Sequence, residues 1–352
     1  MMIPTMPLQG EKIALLSLSL GIAGESFTRH QIELGNMRIR QMGFEPVWMP
    51  HSLEGMDSLK NHPEKRAEDL IEAFKDPKIK GIITAIGGDD TFRIIPYLYE
   101  NDFPEIVKKN PKFFMGYSDT TTNHLYFYQM GLSTFYGPAF LTDFAELDKE
   151  MFPYTKNALH QLVKGQELSL SPSPYWYEER TDFSEKSLNT ERIKHPENKG
   201  YELLQGSPLF SGKLMGGCIE SLYDLLKGKG YKEDRWILEK YPPFPKKEEW
   251  EDSLIFLESS ELKPKPRILK KLLKELIQYG LFEKSNGIII GKPQDETYYE
   301  EYKKIYKKLF KSYDLSIAYN FNFGHTYPKM ILPYGWKGTV DINKQNIKII
   351  KP

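Results

Sequence analysis

Phe113-Phe114-Met115-Gly116-Tyr117-Ser118-Asp119-Thr120 is the stretch on which the fold turns. Three large apolar residues make a short buried strand. Gly116 then frees the backbone of a side-chain clash, and Asp119-Thr120 opens a helix that runs to about Met130. A strand followed so closely by a helix, when it recurs along the first 165 residues, suggests a parallel sheet covered by helices on both faces. The same alternation continues on either side. Ile13 to Leu20 is an apolar run ending at Gly21, followed by a helix from about Thr28 to Met42. Pro46 to Met49 is a second short strand, Glu64 to Phe74 an amphipathic helix, and Gly81 to Ile86 a third strand ending in Gly87-Gly88. Ser133 to Tyr136 resumes an extended pattern. In open sheets of this kind ligands collect outside the carboxyl ends of the strands. Gly87-Gly88 and Ser118 both fall on that edge.

Residues 166–206 change character: Pro172, Pro174, Trp176, Tyr177 and dense charges replace the periodic pattern, which reads as a linker with an embedded recognition loop. A second α/β unit follows over residues 207–352. It carries Gly216-Gly217 before a short helix, a strand at Ser253 to Leu257, an amphipathic helix at Pro264 to Tyr279 and a strand at Gly287 to Gly291. A helix at Tyr298 to Leu309, a strand at Leu315 to Tyr319 and a terminal hairpin over Lys337 to Ile350 complete it. The expected division is therefore 1–165, a linker at 166–206, and 207–352.

Bulk properties narrow the function. Lysine plus arginine and aspartate plus glutamate both equal 48, so the formal charge is zero and the basic excess of a nucleic-acid binder is missing. The single cysteine, Cys218, forms no internal disulfide. Residues 13–24 are interrupted by serines and read as a buried first strand rather than a signal peptide, and no run approaches the roughly 20 apolar residues of a membrane span. A cytoplasmic location is the expectation.

Ser118 is the first candidate for chemistry. A hydroxyl at a sharp strand-to-helix bend lies beside free N–H groups of the helix start, and such donors stabilise a tetrahedral oxyanion by roughly 3–4 kcal/mol each. The plainer alternative is that Ser118 or Asp119 only caps the helix. The second glycine of a Gly-x-Ser-x-Gly elbow is replaced by Thr120, so an ordinary α/β-hydrolase elbow is not matched. Gly87-Gly88-Asp89-Asp90-Thr91 allows close backbone approach to an anion, although it also serves as a simple turn. It resembles the Gly-Gly-Asp-Gly-Thr loop of NAD and diacylglycerol kinases, with Asp90 in place of the third glycine. Of seven histidines, His325 in Phe323-Gly324-His325-Thr326 follows a strand directly, whereas His124 points away from the strand-edge cleft and reads as structural. The orienting carboxylate is sought at Glu258, which ends the strand Leu254 to Leu257 and would be costly there without a partner. Glu261 is the rival, expected to be exposed in a loop.

Three of these stretches together resemble the LD-carboxypeptidase and microcin C immunity family of serine peptidases. Met115-Gly116-Tyr117-Ser118-Asp119 resembles its nucleophile motif, Phe256-Leu257-Glu258 the strand of its charge-relay glutamate, and Phe323-Gly324-His325 its histidine motif. The resemblance implies a flavodoxin-like amino-terminal domain, a smaller carboxy-terminal α/β domain and an active site between them. It also implies a homodimer without metal or cofactor. Carried over, Ser118 is the nucleophile, His325 the base, Glu258 its orienter, and the N–H groups of Gly88 and Asp119 the oxyanion hole. The implied substrates are a murein tetrapeptide that loses its terminal D-alanine, or an aminoacyl or peptidyl group joined to a nucleotide. Gly87 to Arg93 and Gly216 to Glu220 look closer to the immunity branch. Asp90, Arg93 and Trp176 are the expected substrate contacts, Trp176 by stacking on a base. Arg93 has Asp89 and Asp90 as alternative partners, and Trp176 has simple packing of the linker. Two readings from other classes remain: a nucleotide kinase built on Gly87 to Thr91, and a non-catalytic binding protein.

Overall fold

The computed structural model describes all 352 residues. Five parallel strands, β1 (Lys12–Leu16), β2 (Glu45–Trp48), β3 (Ile79–Thr84), β4 (Phe113–Gly116) and β5 (Phe135–Tyr136), form the first sheet in the order 2-1-3-4-5. That order is the flavodoxin-like one, whose switch point lies between β1 and β3. The loops leaving those two strands meet there, with the Leu20 amide donating to the Gly87 carbonyl at 3.2 Å. The strands read as unbroken apolar runs because helices cover both faces of a parallel sheet.

Residues 166–206 are not a linker. They supply β6 (Leu168–Leu170), the ribbon β7 (Tyr175–Tyr177) and β8 (Lys194–Pro196), and β9 (Glu202–Gln205). The second sheet continues with β10 (Leu209–Cys218), β11 (Ser253–Glu258), β12 (Gly287–Gly291) and β13 (Ser316–Phe321). A short β14 (Leu332–Pro333) precedes β15 (Lys337–Asp341) and β16 (Asn346–Ile350). Its order is 6-16-15-10-11-12-13-9, so β6 and β9 are its two edges. The physical reason is a weak alternation: Leu168 and Leu170 are buried on one face while Ser169 faces out. Three residues of period two are too few to stand out beside the prolines and charges around them.

The four central strands β10 to β13 are parallel, and all residues of β11 and β12 are buried. The helix Pro266–Tyr279 shows why this face closes. Pro266 suits the first turn, Leu269, Leu272, Leu273 and Leu276 bury one stripe, and Gly280 at φ 88° ends it. β14 leaves this domain and pairs antiparallel with β5, Leu332 opposite Tyr136, so the last tenth of the chain completes the first sheet. The Tyr334 amide donates to the Thr134 carbonyl at 2.8 Å, and the Ser133 hydroxyl to the Tyr334 carbonyl at 2.7 Å. One continuous cluster of buried apolar side chains runs through both sheets. No helix is long and apolar enough to cross a membrane.

Candidate active site

β4 ends at Gly116 and the chain turns through Ser118, whose φ of 64° lies in the left-handed region that side chains rarely adopt. The bend is held by its neighbours. A Cβ on Gly116 would lie 2.2 Å from Thr84 Oγ1, and one on Gly87 would lie 2.7 Å from Ser118 Cβ. Both glycines are therefore required by close approach. His124 sits behind the bend, wholly buried, with Nε2–H donating to the Gly116 carbonyl at 2.9 Å and Nδ1 accepting from the Thr134 hydroxyl at 2.7 Å. Burial pushes its pKa down to about 3, so it is a neutral strut.

Ser118, Glu258 and His325, separated by 207 residues along the chain, meet at this point. Ser118 Oγ lies 3.1 Å from His325 Nε2, and His325 Nδ1 lies 2.8 Å from Glu258 Oε2. Glu258 is buried at the end of β11, and its other oxygen accepts from the Tyr136 hydroxyl at 2.6 Å. The same Tyr136 oxygen accepts the Ser118 amide at 3.2 Å. A single tyrosine thus ties the Ser118 backbone to the Glu258 carboxylate. Gly324, at φ 80°, is required here because a Cβ would meet Glu258 Cγ at 2.3 Å. The edge of Tyr117 packs on the imidazole, ring centroids 5.0 Å apart.

Glu261 is exposed, as the sequence implied, yet its Oε2 comes within 2.9 Å of His325 Nε2. Burial lowers the pKa of His325, but the charges and hydrogen bonds of Glu258 and Glu261 outweigh it and raise the ring to about 10. Partial desolvation where the carboxylate meets the ring opposes the ionised Glu261, and contact with His325 brings it down to about 2. Glu220 fixes the start of this loop by accepting from the Ser260 hydroxyl at 2.8 Å and from its amide at 3.1 Å.

The Gly87 to Thr91 loop stands against the bend. Ser19 Oγ accepts the amides of Asp89 and Asp90 at 3.0 and 3.1 Å, and Asp119 accepts the Thr91 amide at 2.9 Å. Burial pushes the Asp119 carboxyl up to about 6. Gly88, at φ 148°, has no room for a side chain, since its Cβ would fall 2.3 Å from Ser19 Oγ. A Cβ on Gly87 would lie 3.4 Å from the Asp119 amide nitrogen, so the loop packs directly on the bend.

Three expected substrate contacts lie elsewhere. Asp90 is buried and paired with Arg66 at 2.7 Å and Arg93 at 3.1 Å, because Arg66, fully buried 24 residues away, needs a counter-ion. Arg93 also pairs with Glu233 at 2.6 Å. Trp176 stacks on His195, ring centroids 4.3 Å apart, in the β7–β8 ribbon. None of the three lines the cavity that opens over Ser118.

That cavity measures about 460 Å³ and is walled by Leu20, Ile22, Phe27, Leu141, Phe183 and Tyr327, with Gly87, Gly88, Ser118 and His325 at its base. Phe183 comes from the former linker. Its strand of chain is tied down by buried Glu146, which pairs with Arg192 at 2.7 Å and Arg180 at 2.9 Å, and the Phe183 carbonyl accepts from His30 Nε2 at 3.0 Å. Sequence reasoning missed Tyr136, Phe183 and Ser19; each acts through a partner remote in sequence. Cys218, Glu258 and His325 offer ligand atoms within 4.8 Å of one another, but Glu258 and His325 already bind each other. Burial, with the nearby Glu258 and Glu220, keeps the Cys218 thiol protonated.

Comparison with known proteins agrees with this architecture. Residues 13–137 match the LD-carboxypeptidase N-terminal domain and residues 211–340 the LD-carboxypeptidase C-terminal domain. An MccF-like protein from Streptococcus pneumoniae, solved in complex with AMP, is 45% identical and superimposes with a TM-score of 0.92 over 97% of this chain and 99% of that one. The microcin C7 self-immunity protein MccF of Escherichia coli is 27% identical over 81% of this chain and 78% of its own length. Its structure in complex with aspartyl sulfamoyl adenosine, at 21% identity, shares the fold with a TM-score of 0.80 over 100% and 99% of the two chains. A putative carboxypeptidase of Vibrio cholerae is 24% identical over 97% of this chain and 95% of its own. The chain belongs to the LD-carboxypeptidase (S66) peptidase family.

Proposed function

We infer that this chain is a serine peptidase of the immunity-like branch, hydrolysing the bond between an aminoacyl or peptidyl group and a nucleotide. The observation that carries the serine mechanism is the convergence of Ser118 Oγ, His325 and Glu258, with contacts of 3.1 and 2.8 Å on the two ring nitrogens. These are the distances over which a base takes a hydroxyl proton. Ser118 Oγ attacks the substrate carbonyl while its proton passes to His325 Nε2. Glu258 holds the ring in the tautomer with hydrogen on Nδ1 and stabilises the imidazolium. The amides of Gly88 and Asp119 receive the oxyanion. His325 then returns the proton to the leaving group, and water resolves the acyl-enzyme by the reverse route.

The apolar walls favour the nucleotide-linked substrate. Leu20, Ile22, Phe27 and Phe183 offer a flat ring a surface a few side chains from the nucleophile, and the volume is within the range of ligand sites. The relatives bound to AMP and to aspartyl sulfamoyl adenosine support the same class.

The test is to incubate the protein and its Ser118→Ala variant with a murein tetrapeptide and with a peptidyl adenylate analogue, following products by mass spectrometry. Cleavage of the nucleotide conjugate by the wild type alone is expected. Equal cleavage by the variant would refute the triad, and preference for the tetrapeptide would move the chain to the murein branch.

A further inference from the structure

The cavity over Ser118 has an unusual charge balance. The charged side chains that line it are Glu179 and Glu261, with His325 at the base, and neither lysine nor arginine reaches it. A site that grips a free terminal carboxylate would be expected to present a cation. Glu179 is already engaged, accepting from Arg192 at 3.1 Å and from Gln294. Glu261 is different, because its one ion pair is with the catalytic base itself, 2.9 Å away on the nitrogen that Ser118 also needs.

The surroundings of His325 define the conflict. Glu258 faces Nδ1 from β11 and Glu261 faces Nε2 from the loop after it. Cys218, protonated at the end of β10, and Tyr136, on the far oxygen of Glu258, are close neighbours without charge. Tyr117 packs on the ring, and beneath it Lys329 and Asp143 are buried as a mutual pair at 3.0 Å. An imidazole held between two carboxylates stays an imidazolium and cannot accept the serine proton. The loop carrying Glu261 is anchored at Ser260 by Glu220, while Glu261 and Leu262 beyond it are exposed. The Leu262 and Lys263 amides also bond to Ser260, and Lys263 Nζ pairs with Asp295, so the turn itself is held and it is the exposed Glu261 side chain that can rotate away from His325.

We propose that Glu261 is a specificity-determining residue: it occupies His325 Nε2 in the free protein and is drawn away by a cationic amine on the substrate, next to the scissile carbonyl. A free α-amino group of an aminoacyl or short peptidyl conjugate has that chemistry. Pairing with Glu261, the amine frees Nε2 to lose its proton and serve Ser118, so that only amine-bearing substrates assemble the working relay. This inference rests on the triad assigned above and adds a substrate class to it.

Phosphonylation separates the two ideas without knowledge of the natural substrate. Ser118 Oγ displaces fluoride from a fluorophosphonate, forming the P–O bond as the serine proton passes to His325. The rate is to be measured from pH 5 to 10 with a butyl probe and a 4-aminobutyl probe, in wild type, Glu261→Gln, Glu261→Asp and Ser118→Ala. The wild type is expected to react faster with the amino probe. In Glu261→Gln the two probes should react alike, and the midpoint of the pH profile should fall by about one unit or more, as loss of a nearby carboxylate lowers a histidine pKa. Glu261→Asp should keep the amine preference. The same probe ratio and the same midpoint in wild type and Glu261→Gln would overturn the proposal while leaving the triad intact. Absence of labelling in the wild type, or labelling of Ser118→Ala at the wild-type rate, would instead remove the triad and the proposal with it.

Discussion

Replacing Tyr136 by phenylalanine removes one oxygen from the buried site and leaves the ring's packing in place. That oxygen makes two bonds, donating to Glu258 Oε1 at 2.6 Å and accepting the Ser118 amide at 3.2 Å. Tyr136 is buried, and burial and the Glu258 charge hold its pKa far above the ordinary tyrosine value, so it donates at every working pH. A hydrogen bond to a buried charge contributes about 1.5–3 kcal/mol, and a stranded amide costs about 1–3 kcal/mol. Ser118 is only half-buried, so water recovers part of the second figure. The expected loss of stability is therefore about 2–4 kcal/mol. It is to be read from urea unfolding of the wild type and Tyr136→Phe at pH 7, with the slope of the transition unchanged. The left-handed Ser118 bend loses a restraint at the same time, so turnover is expected to fall by about 10- to 100-fold, in keeping with a sub-ångström displacement of a nucleophile. A stability change below about 1 kcal/mol, smaller than either bond alone should give, would refute the claim that Tyr136 couples the nucleophile's backbone to the carboxylate.

Two further outcomes follow from buried charge. Arg66→Met leaves Asp90 buried beside Arg93 alone, and should destabilise the protein by about 3–5 kcal/mol in the same urea assay, as expected when one partner of a buried pair is removed. His124 has a folded pKa of about 3, below its unfolded value, so the unfolded chain binds the extra proton first. Stability should then fall by about 1.4 kcal/mol per pH unit from roughly pH 6.5 down to the folded value. His124→Gln, which cannot titrate, should flatten that part of the urea-midpoint curve against pH; an unchanged slope would contradict the buried neutral ring.

Much of the site was legible because the sequence marks strand ends. Apolar runs that stop at Gly116, at Glu258 and just before Gly324-His325 put Ser118, Glu258 and His325 on carboxyl edges, and glycine marks the close approaches around them. What was not legible depends on partners far away in the chain. The edge strands β6 and β9 are three and four residues long, and only their pairing with β16 and β13 defines them. Asp90 and Arg93 have the composition of a binding loop, but Arg66 claims Asp90 and Glu233 claims Arg93. Trp176 found His195 within its own ribbon. Glu261 was placed correctly on an exposed loop, whereas the direction of its carboxylate depends on the anchor between Glu220 and Ser260, 40 residues apart.

The seating of β14 on β5 has a consequence for how the molecule is made. A ribosome releases the chain from its beginning, yet Leu332 and Pro333 must emerge before Tyr136 gains its neighbour. The nascent first sheet waits, with an open edge, through the synthesis of nearly two hundred further residues. Unpaired edges on long-lived intermediates invite association with other chains. Vectorial synthesis thus withholds the finished edge beside the Ser118 bend until Leu332 and Pro333 exist, and a product cut short before residue 332 is expected to associate with other chains.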